Sequence, residues 1–545
     1  MTDFKQRVLS WSFLLLVCIN LTPADGVLLN RGIQKAAGEP IYRRVSRPHH
    51  PHYRRTHSRV STHHASTVPD ARPPPSERTF NSSTVERVIQ EVGAMISDDT
   101  LRQIFSNCLP STLDTTIGYH VNATQSLNGL PYTYIITGDI PAMWLRDSTY
   151  QINPYIPLAK DDAALRQMVL GVINTQAEMV NLNPWANAFL PLKHWNSGII
   201  VNPPESSDEV HPPYDPTEIW EVKYELDSLA SFLYLSQNYY KSTDDLTFVN
   251  NTRWVQAVRK TVESMRKMQA GTVESLGREP YKFTRMTRTQ SETQNLYGLG
   301  NPVKRCGLVR SYFRPSDDAT VFHYLIPANA LAVVGLEGVA DILLSSRVDQ
   351  QLLDEVILLA AEIREGIQMY GVVNHPRFGE VFAYEVDCYG SVLFMDDANF
   401  PSILSMAKFG FVTKDDPTYL RSRQYVLSPE WNPYYAAGRF PGVGSPHTGL
   451  QKPWHMAVAM QAMTSDNDEE ILRMLQSLNA TTAGTGLMHE SYNVDQPESF
   501  SRPWFAWANT VFGDLIMHLS QEKPHLLRGT PAPHNSNIHL NSVKA

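Results

Sequence analysis

Cysteine is scarce: four in 545 residues, with Cys18 in the leader and Cys108, Cys306 and Cys388 in the body. Three body cysteines allow at most one internal disulfide, which excludes a disulfide-built scaffold. Charge is also sparse, at 19% of residues and a net of −8, and the body has no sustained basic run. That excludes a nucleic-acid surface and favours small polar or neutral partners. Strand-like alternation is scarce, and past the leader no run reads as long enough to cross a membrane. The chain has no G-x-S-x-G elbow, no phosphate-binding G-x-x-x-x-G-K-[ST] and no H-E-x-x-H; "GVGSPHTG" at Gly442–Gly449 lacks the strand and helix that a dinucleotide loop needs. The isolated His489-Glu490 pair has no second histidine, so neither a catalytic metal nor a cofactor is expected.

The ends carry other signals. "MTDFKQRVLSWSFLLLVCINLTPADG" places Lys5 and Arg7 ahead of an apolar stretch, Val8 to Leu21, and a small-residue site at Ala24-Asp25-Gly26. Residues 1–26 read as a secretory signal, with an uncleaved anchor as the rival. Sequons at Asn81, Asn122, Asn250 and Asn479 agree with a secretory route. Residues 27–80, rich in Arg, His, Pro and Ser, are too poor in apolar groups to offset the entropy of ordering, so a disordered stalk is expected. A tail at 526–545 is expected to be disordered too, leaving 81–525 as one catalytic-sized domain and a monomer.

Within that domain helix follows helix. Ser83 and Glu86 suggest a capping box, followed by an apolar face at Val85, Val88, Ile89, Val92 and Ile96. Further helices are expected at Ala163–Val180, Leu226–Tyr240, Trp254–Met268, Ala328–Leu344, Leu352–Tyr370, Pro401–Phe409, Pro453–Met463, Glu469–Leu478 and Phe505–Leu519. The class is all-α. Long loops rich in Pro, Gly and aromatics separate the helices, and loops of that length usually build sites. A closed ring of paired helices with loops crowding one end would use all of these features.

Four polar-aromatic clusters recur. "GDIPAMWLRDSTYQINPY" sets Asp139, Arg146 and Asp147 in an apolar frame, where ionised groups need partners. "WEVKYELDSLASF" carries Glu221, Glu225 and Asp227 at a helix start, where Asp227 could be a first-turn acid or a proton donor. "GLVRSYFRPSDDATVFHYLIPANA" carries Arg310, Arg314, Asp317 and Asp318, with Ser316 placed to cap a helix holding both aspartates in its first turn. "MHESYNVDQPESFSRPWFAWANTVFGDL" is densest, with His489, Glu490, Asp495, Arg502, Trp504, Phe505 and Trp507. Flat apolar faces that stack on sugar rings, beside groups that grip hydroxyls, point to a carbohydrate pocket. Two carboxyls flanking a glycosidic bond would suffice to hydrolyse it.

These clusters, in this order from about Val85 to Leu519, resemble glycoside hydrolase family 125, the exo-acting α-1,6-mannosidases. The resemblance implies an (α/α)6 barrel with a loop-built pocket at one end, inversion at the anomeric carbon and metal-free catalysis on α-mannoside oligosaccharides or glycoprotein glycans. Carried over, Asp227 matches the general acid and Glu490 the general base. Asp139, Trp144, Arg146, Asp147, Asp317, Asp318, His489 and Arg502 are expected at the terminal mannose, with Trp454, His455, Trp504 and Trp507 as walls. Alternatives are a non-catalytic mannan-binding protein or an (α/α)6 glycosidase acting on glucose-containing chains.

Overall fold

A computed structural model describes residues 68–195, 201, 203 and 206–528. The leader, most of the stalk and the tail beyond residue 528 lie outside the described residues.

The described chain is mainly helical, as the periodicity predicts. Twelve helices matter for the site: α1 (Ser83–Gly93), α2 (Asp99–Cys108), α3 (Leu145–Ile152), α4 (Ala163–Leu182), α5 (Leu226–Thr243), α6 (Thr252–Met268), α7 (Ile326–Ser346), α8 (Gln350–Gly366), α9 (Pro417–Val426), α10 (His455–Met463), α11 (Asp468–Ala480) and α12 (Ala506–Glu522). From α2 onward, outer and inner elements alternate. The inner helices α12, α3, α5 and α7 pack in sequence, and α10 packs on α12. Outside them α4 lies against α6, α6 against α8, and α11 against α2.

Composition explains the layers. All nine residues of α10, "HMAVAMQAM", are buried, and α7 is buried round most of its circumference. Helices apolar on every side belong inside. Outer helix α6 instead buries one stripe, including Trp254, Ala257, Val258, Thr261, Val262 and Met265, and leaves Arg253 and Lys267 exposed. Among the described residues α7 is the one helix long and apolar enough to cross a membrane, which the sequence reading overlooks; it is a core helix, packed between α5 and α8.

Residues 401–409 occupy the sixth inner position but form successive turns rather than the expected helix. Ser402 and Ser405 bond each other's backbone N–H, and Asp396 accepts from the N–H groups of Ile403 and Leu404. Side chains thus take over bonds that a helix would make. Phe400, Ser405, Lys408 and Phe409 still reach Tyr150 of α3, Tyr234 of α5, Met460 of α10 and Asp514 of α12 around one small apolar cavity. Lys408 also pairs with Asp514 of α12 at 2.9 Å.

Three boundaries differ from expectation. Within the described residues packing reaches back to Val68, because Arg72 reaches Asp114 at 2.7 Å and pairs with Glu86, which anchors residues 68–80. At the other end Leu526 and Leu527 are buried, so packing runs beyond residue 525. The cap of α1 is Ser82, whose Oγ accepts from Val85 N–H at 3.2 Å, while Glu86 is drawn off to Arg72 and Arg78. Cys306 and Cys388 form a disulfide across a sequence separation of 82, and Cys108 is free and buried.

Candidate active site

Every inner element has its N-terminal end beside one cavity of about 410 Å³. The residues preceding or opening these elements supply the wall: Trp144, Arg146 and Asp147 at α3; Trp220, Glu221 and Lys223 before α5; Ser316 and Asp317 before α7; Asn399 before the 401–409 turns; His447 and Trp454 before α10; Glu490, Arg502, Phe505 and Trp507 at α12. Five inner helices thus aim the positive ends of their dipoles at a space rich in carboxylates.

Backbone pairing sets the geometry. Met143–Trp144 pairs with Ala188–Phe189, which pairs in turn with Ile219–Glu221, so the segments leading into α3 and α5 are locked on either side of one strand. Gly138 bridges Phe505 with φ +133°, and a Cβ there would stand 2.3 Å from the Trp504 carbonyl oxygen, so glycine is required. This bridge brings Asp139 to Arg502, where Nε donates to Oδ1 at 2.9 Å.

Arg146 is the electrostatic centre. Its guanidinium lies 2.5 Å from Glu225, 3.2 Å from Asp227, 3.1 Å from Asp147 and 3.4 Å from Asp317. One buried cation cannot offset three buried carboxylates and a fourth that is partly exposed, so the cluster must hold protons. Burial and the neighbouring Asp317 and Asp227 charges keep Glu225 well above the usual range against the pull of Arg146. Burial lifts Asp227 to about 6 and raises Asp147, Arg146 opposing both. Asp317 moves the other way: burial would raise it, but Arg146 and Lys223 hold it below the usual range, and it shares a hydrogen bond with Glu225. Asn187, fully buried, donates to Glu221 at 3.2 Å and Glu225 at 3.1 Å and orients both.

Across the cavity Glu490 accepts from Ser501 Oγ at 2.8 Å and lies 3.7 Å from Arg502. The indole N–H groups of Trp144 and Trp507 and the Oδ2 of Asp147 are buried and make no hydrogen bond to the described residues.

Eight of the fourteen expected site residues line the cavity: Trp144, Arg146, Asp147, Asp317, Trp454, Glu490, Arg502 and Trp507. The other six stand behind or beside it. Asp227 is fully buried in the first turn of α5 and reaches the cavity only through Arg146. Asp139 holds Arg502, and Asp318 is buried 3.6 Å from His447. His489 stacks on Phe500, with ring centroids 3.7 Å apart, and His455 accepts from His489 N–H at 3.0 Å. Burial keeps His455 neutral, lowering it to about 3. Both histidines therefore brace the Glu490 loop. Trp504 is partly exposed and donates to Thr115 at 3.0 Å.

The polar cluster before α7 is likewise part scaffold. Ser316 caps no helix but donates to Asp397 at 2.9 Å. Arg314 binds Glu385 at 2.6 Å, and Glu385 in turn accepts from Val321 and Phe322 N–H. Arg310 is buried against Tyr312 and the Met268 carbonyl. Sequence reasoning misses Trp220, Lys223, His447, Asn187 and Asn399. Trp220 is adjacent to the Glu221 it singles out and Lys223 stands two residues beyond, and that proximity is the available signal.

The chain matches the family described as metal-independent α-mannosidase (GH125) over residues 98–517. A Schizosaccharomyces pombe protein, meiotically up-regulated gene 157 protein, is 47% identical over 467 residues, covering 85% of this chain and 90% of that one. Among solved structures, a Streptococcus pneumoniae metal-independent α-mannosidase in a non-productive complex with α-1,6-mannobiose is 34% identical, with a TM-score of 0.73, covering 81% of this chain and all of that one. The chain therefore belongs to glycoside hydrolase family 125, the metal-independent α-mannosidases.

Proposed function

We propose that this α-mannosidase is exo-acting and inverting, removes terminal α-1,6-linked mannose from oligosaccharides or glycoprotein glycans, and uses Asp317 as the proton donor and Glu490 as the base. The observation that carries this reading is that Asp317 and Glu490 both stand on the cavity wall, whereas Asp227 does not. A general acid has to reach the leaving oxygen. Asp227, with its carboxyl near 6, has a suitable proton affinity but is fully buried. Asp317 has the access, its side chain being 23% exposed, and the hydrogen-bonded Glu225 behind it holds the proton.

In this mechanism the proton held by Glu225 passes to Asp317 once the sugar is bound, and Asp317 gives it to the glycosidic oxygen as the C1–O bond breaks, leaving Glu225 to regain a proton from water before the next turnover. Glu490 takes a proton from a water whose oxygen bonds C1 from the opposite face, so the released mannose is the β-anomer. The unpartnered indole N–H groups of Trp144 and Trp507 are available to sugar hydroxyls, while the Trp507 ring itself is packed against Tyr150 and Arg146. The Cys306–Cys388 disulfide, with exposed sequons at Asn81 and Asn250, supports the secretory route expected from the leader.

Comparing Asp317→Asn with Asp227→Asn tests the donor. Asp317→Asn should lose at least about 10³-fold on α-1,6-mannobiose, the upper part of what general acid catalysis contributes. It should keep most activity on an aryl mannoside whose phenol leaves without a proton. Asp227→Asn showing that pattern, with Asp317→Asn near normal, would return the role to Asp227.

A further inference from the structure

We propose that His447, seated on the carboxylate of Asp318, is a substrate-binding residue that grips a sugar hydroxyl beside the scissile bond with a charged N–H. The inference rests on the mannosidase reading above. His447 lies in "GVGSPHTG", a loop that the sequence motifs left without a role.

The loop is built to hold the ring in place. Gly442–Val443 pairs with Tyr435–Ala436, Gly444 bridges Pro453, and Thr448 Oγ1 accepts from the Trp454 indole at 2.8 Å. The imidazole stands edge-on to Trp454, centroids 6.2 Å apart. Its Nδ1 is 3.6 Å from Asp318 Oδ2, an oxygen with no hydrogen bond in a side chain only 2% exposed. The other ring nitrogen makes no hydrogen bond to the described residues, and the side chain, 38% exposed, forms part of the cavity wall.

A buried carboxylate needs a counter-charge. Arg314 is engaged by Glu385, which leaves His447 to face Asp318. Burial works against the imidazolium, but Asp318 first, then Glu490 and Asp317, raise His447 to about 9. The groups that act on this ring are thus its anchor and the two carboxyls assigned to the reaction. A cation held by one carboxylate while its far N–H is free is suited to a hydroxyl of the sugar between the other two.

The test uses the full chain, with His447→Gln, His447→Ala and Asp318→Asn. On α-1,6-mannobiose at pH 7, both His447 variants should raise KM at least tenfold while kcat falls less than threefold. Wild-type affinity for mannose, measured by calorimetry, should weaken as pH rises through about 9, and that pH response should vanish in His447→Gln. Asp318→Asn, where it folds, should move the response to lower pH. A role confined to neutralising Asp318 would lower melting temperature and leave KM and mannose affinity unchanged, which would overturn the inference. Wild-type protein that cleaves mannobiose and binds mannose while both His447 variants match it within twofold would overturn this inference alone. Wild-type protein that does neither would sink the mannosidase reading, and the role of His447 with it.

Discussion

Replacing Arg146 with Met should destabilise the protein in a strongly pH-dependent way, because among the described residues it removes the one cation in contact with Glu225, Asp227, Asp147 and Asp317. The magnitude follows from Asp227 alone. A carboxyl whose folded value is raised from 3.8 to about 6 carries no penalty below 3.8, a growing one between the two values, and a constant one of about 3 kcal/mol above 6. Without the guanidinium, Asp227 stays protonated past neutrality, and at pH 7.5 the penalty becomes about 5 kcal/mol. The variant should therefore lose about 2 kcal/mol at pH 7.5 through this group and nothing through it at pH 5, where both proteins hold the proton. Asp147, also raised by burial against the pull of Arg146, acts in the same direction, while Glu225 holds its proton in both proteins and adds no difference. Urea unfolding of both proteins at the two pH values measures this difference. An equal loss at pH 5 and 7.5 would refute the claim that Arg146 sets the protonation of the cluster.

Two further substitutions probe the frame around the site. Gly138→Ala forces a Cβ within 2.3 Å of the Trp504 oxygen at φ +133°, so it should cost on the order of 1–3 kcal/mol and weaken turnover by displacing Arg502, read by melting temperature and kcat/KM. Cys306→Ser opens a loop closed across 82 residues, for which chain entropy gives an upper value of about 4–5 kcal/mol; the melting temperature should fall while kcat stays near wild type, since neither cysteine lines the cavity.

The inner barrel is largely legible in sequence because its helices are apolar: α5, α7, α10 and α12 start within two residues of the periodic segments that predict them. Helix α3 is not, since "LRDSTYQI" is short and carries its charges toward the cluster rather than to solvent. The turns at 401–409 are hidden for another reason, as two serines and a distant aspartate decide them. Within the site, residue type reveals the wall but not depth. Asp227 and Asp317 both sit in acidic, aromatic stretches, and only packing separates a carboxyl fully buried at a helix start from one that faces the cavity. His447 escapes because a lone histidine in a glycine-rich loop signals nothing until Asp318, from a segment more than a hundred residues earlier, is brought beside it. Asp139, Arg146 and Asp147, the charges that stand out in an apolar frame, divide accordingly: Arg146 and Asp147 face the cavity, and Asp139 holds the arginine beside Glu490.

Proton NMR of the anomeric region during the first minutes of α-1,6-mannobiose hydrolysis, in buffer treated with EDTA, addresses the central claim most directly. The account predicts that β-mannose appears first and that the α-anomer follows only by mutarotation. Release of α-mannose first, or no release of mannose by the folded wild-type protein, would contradict it.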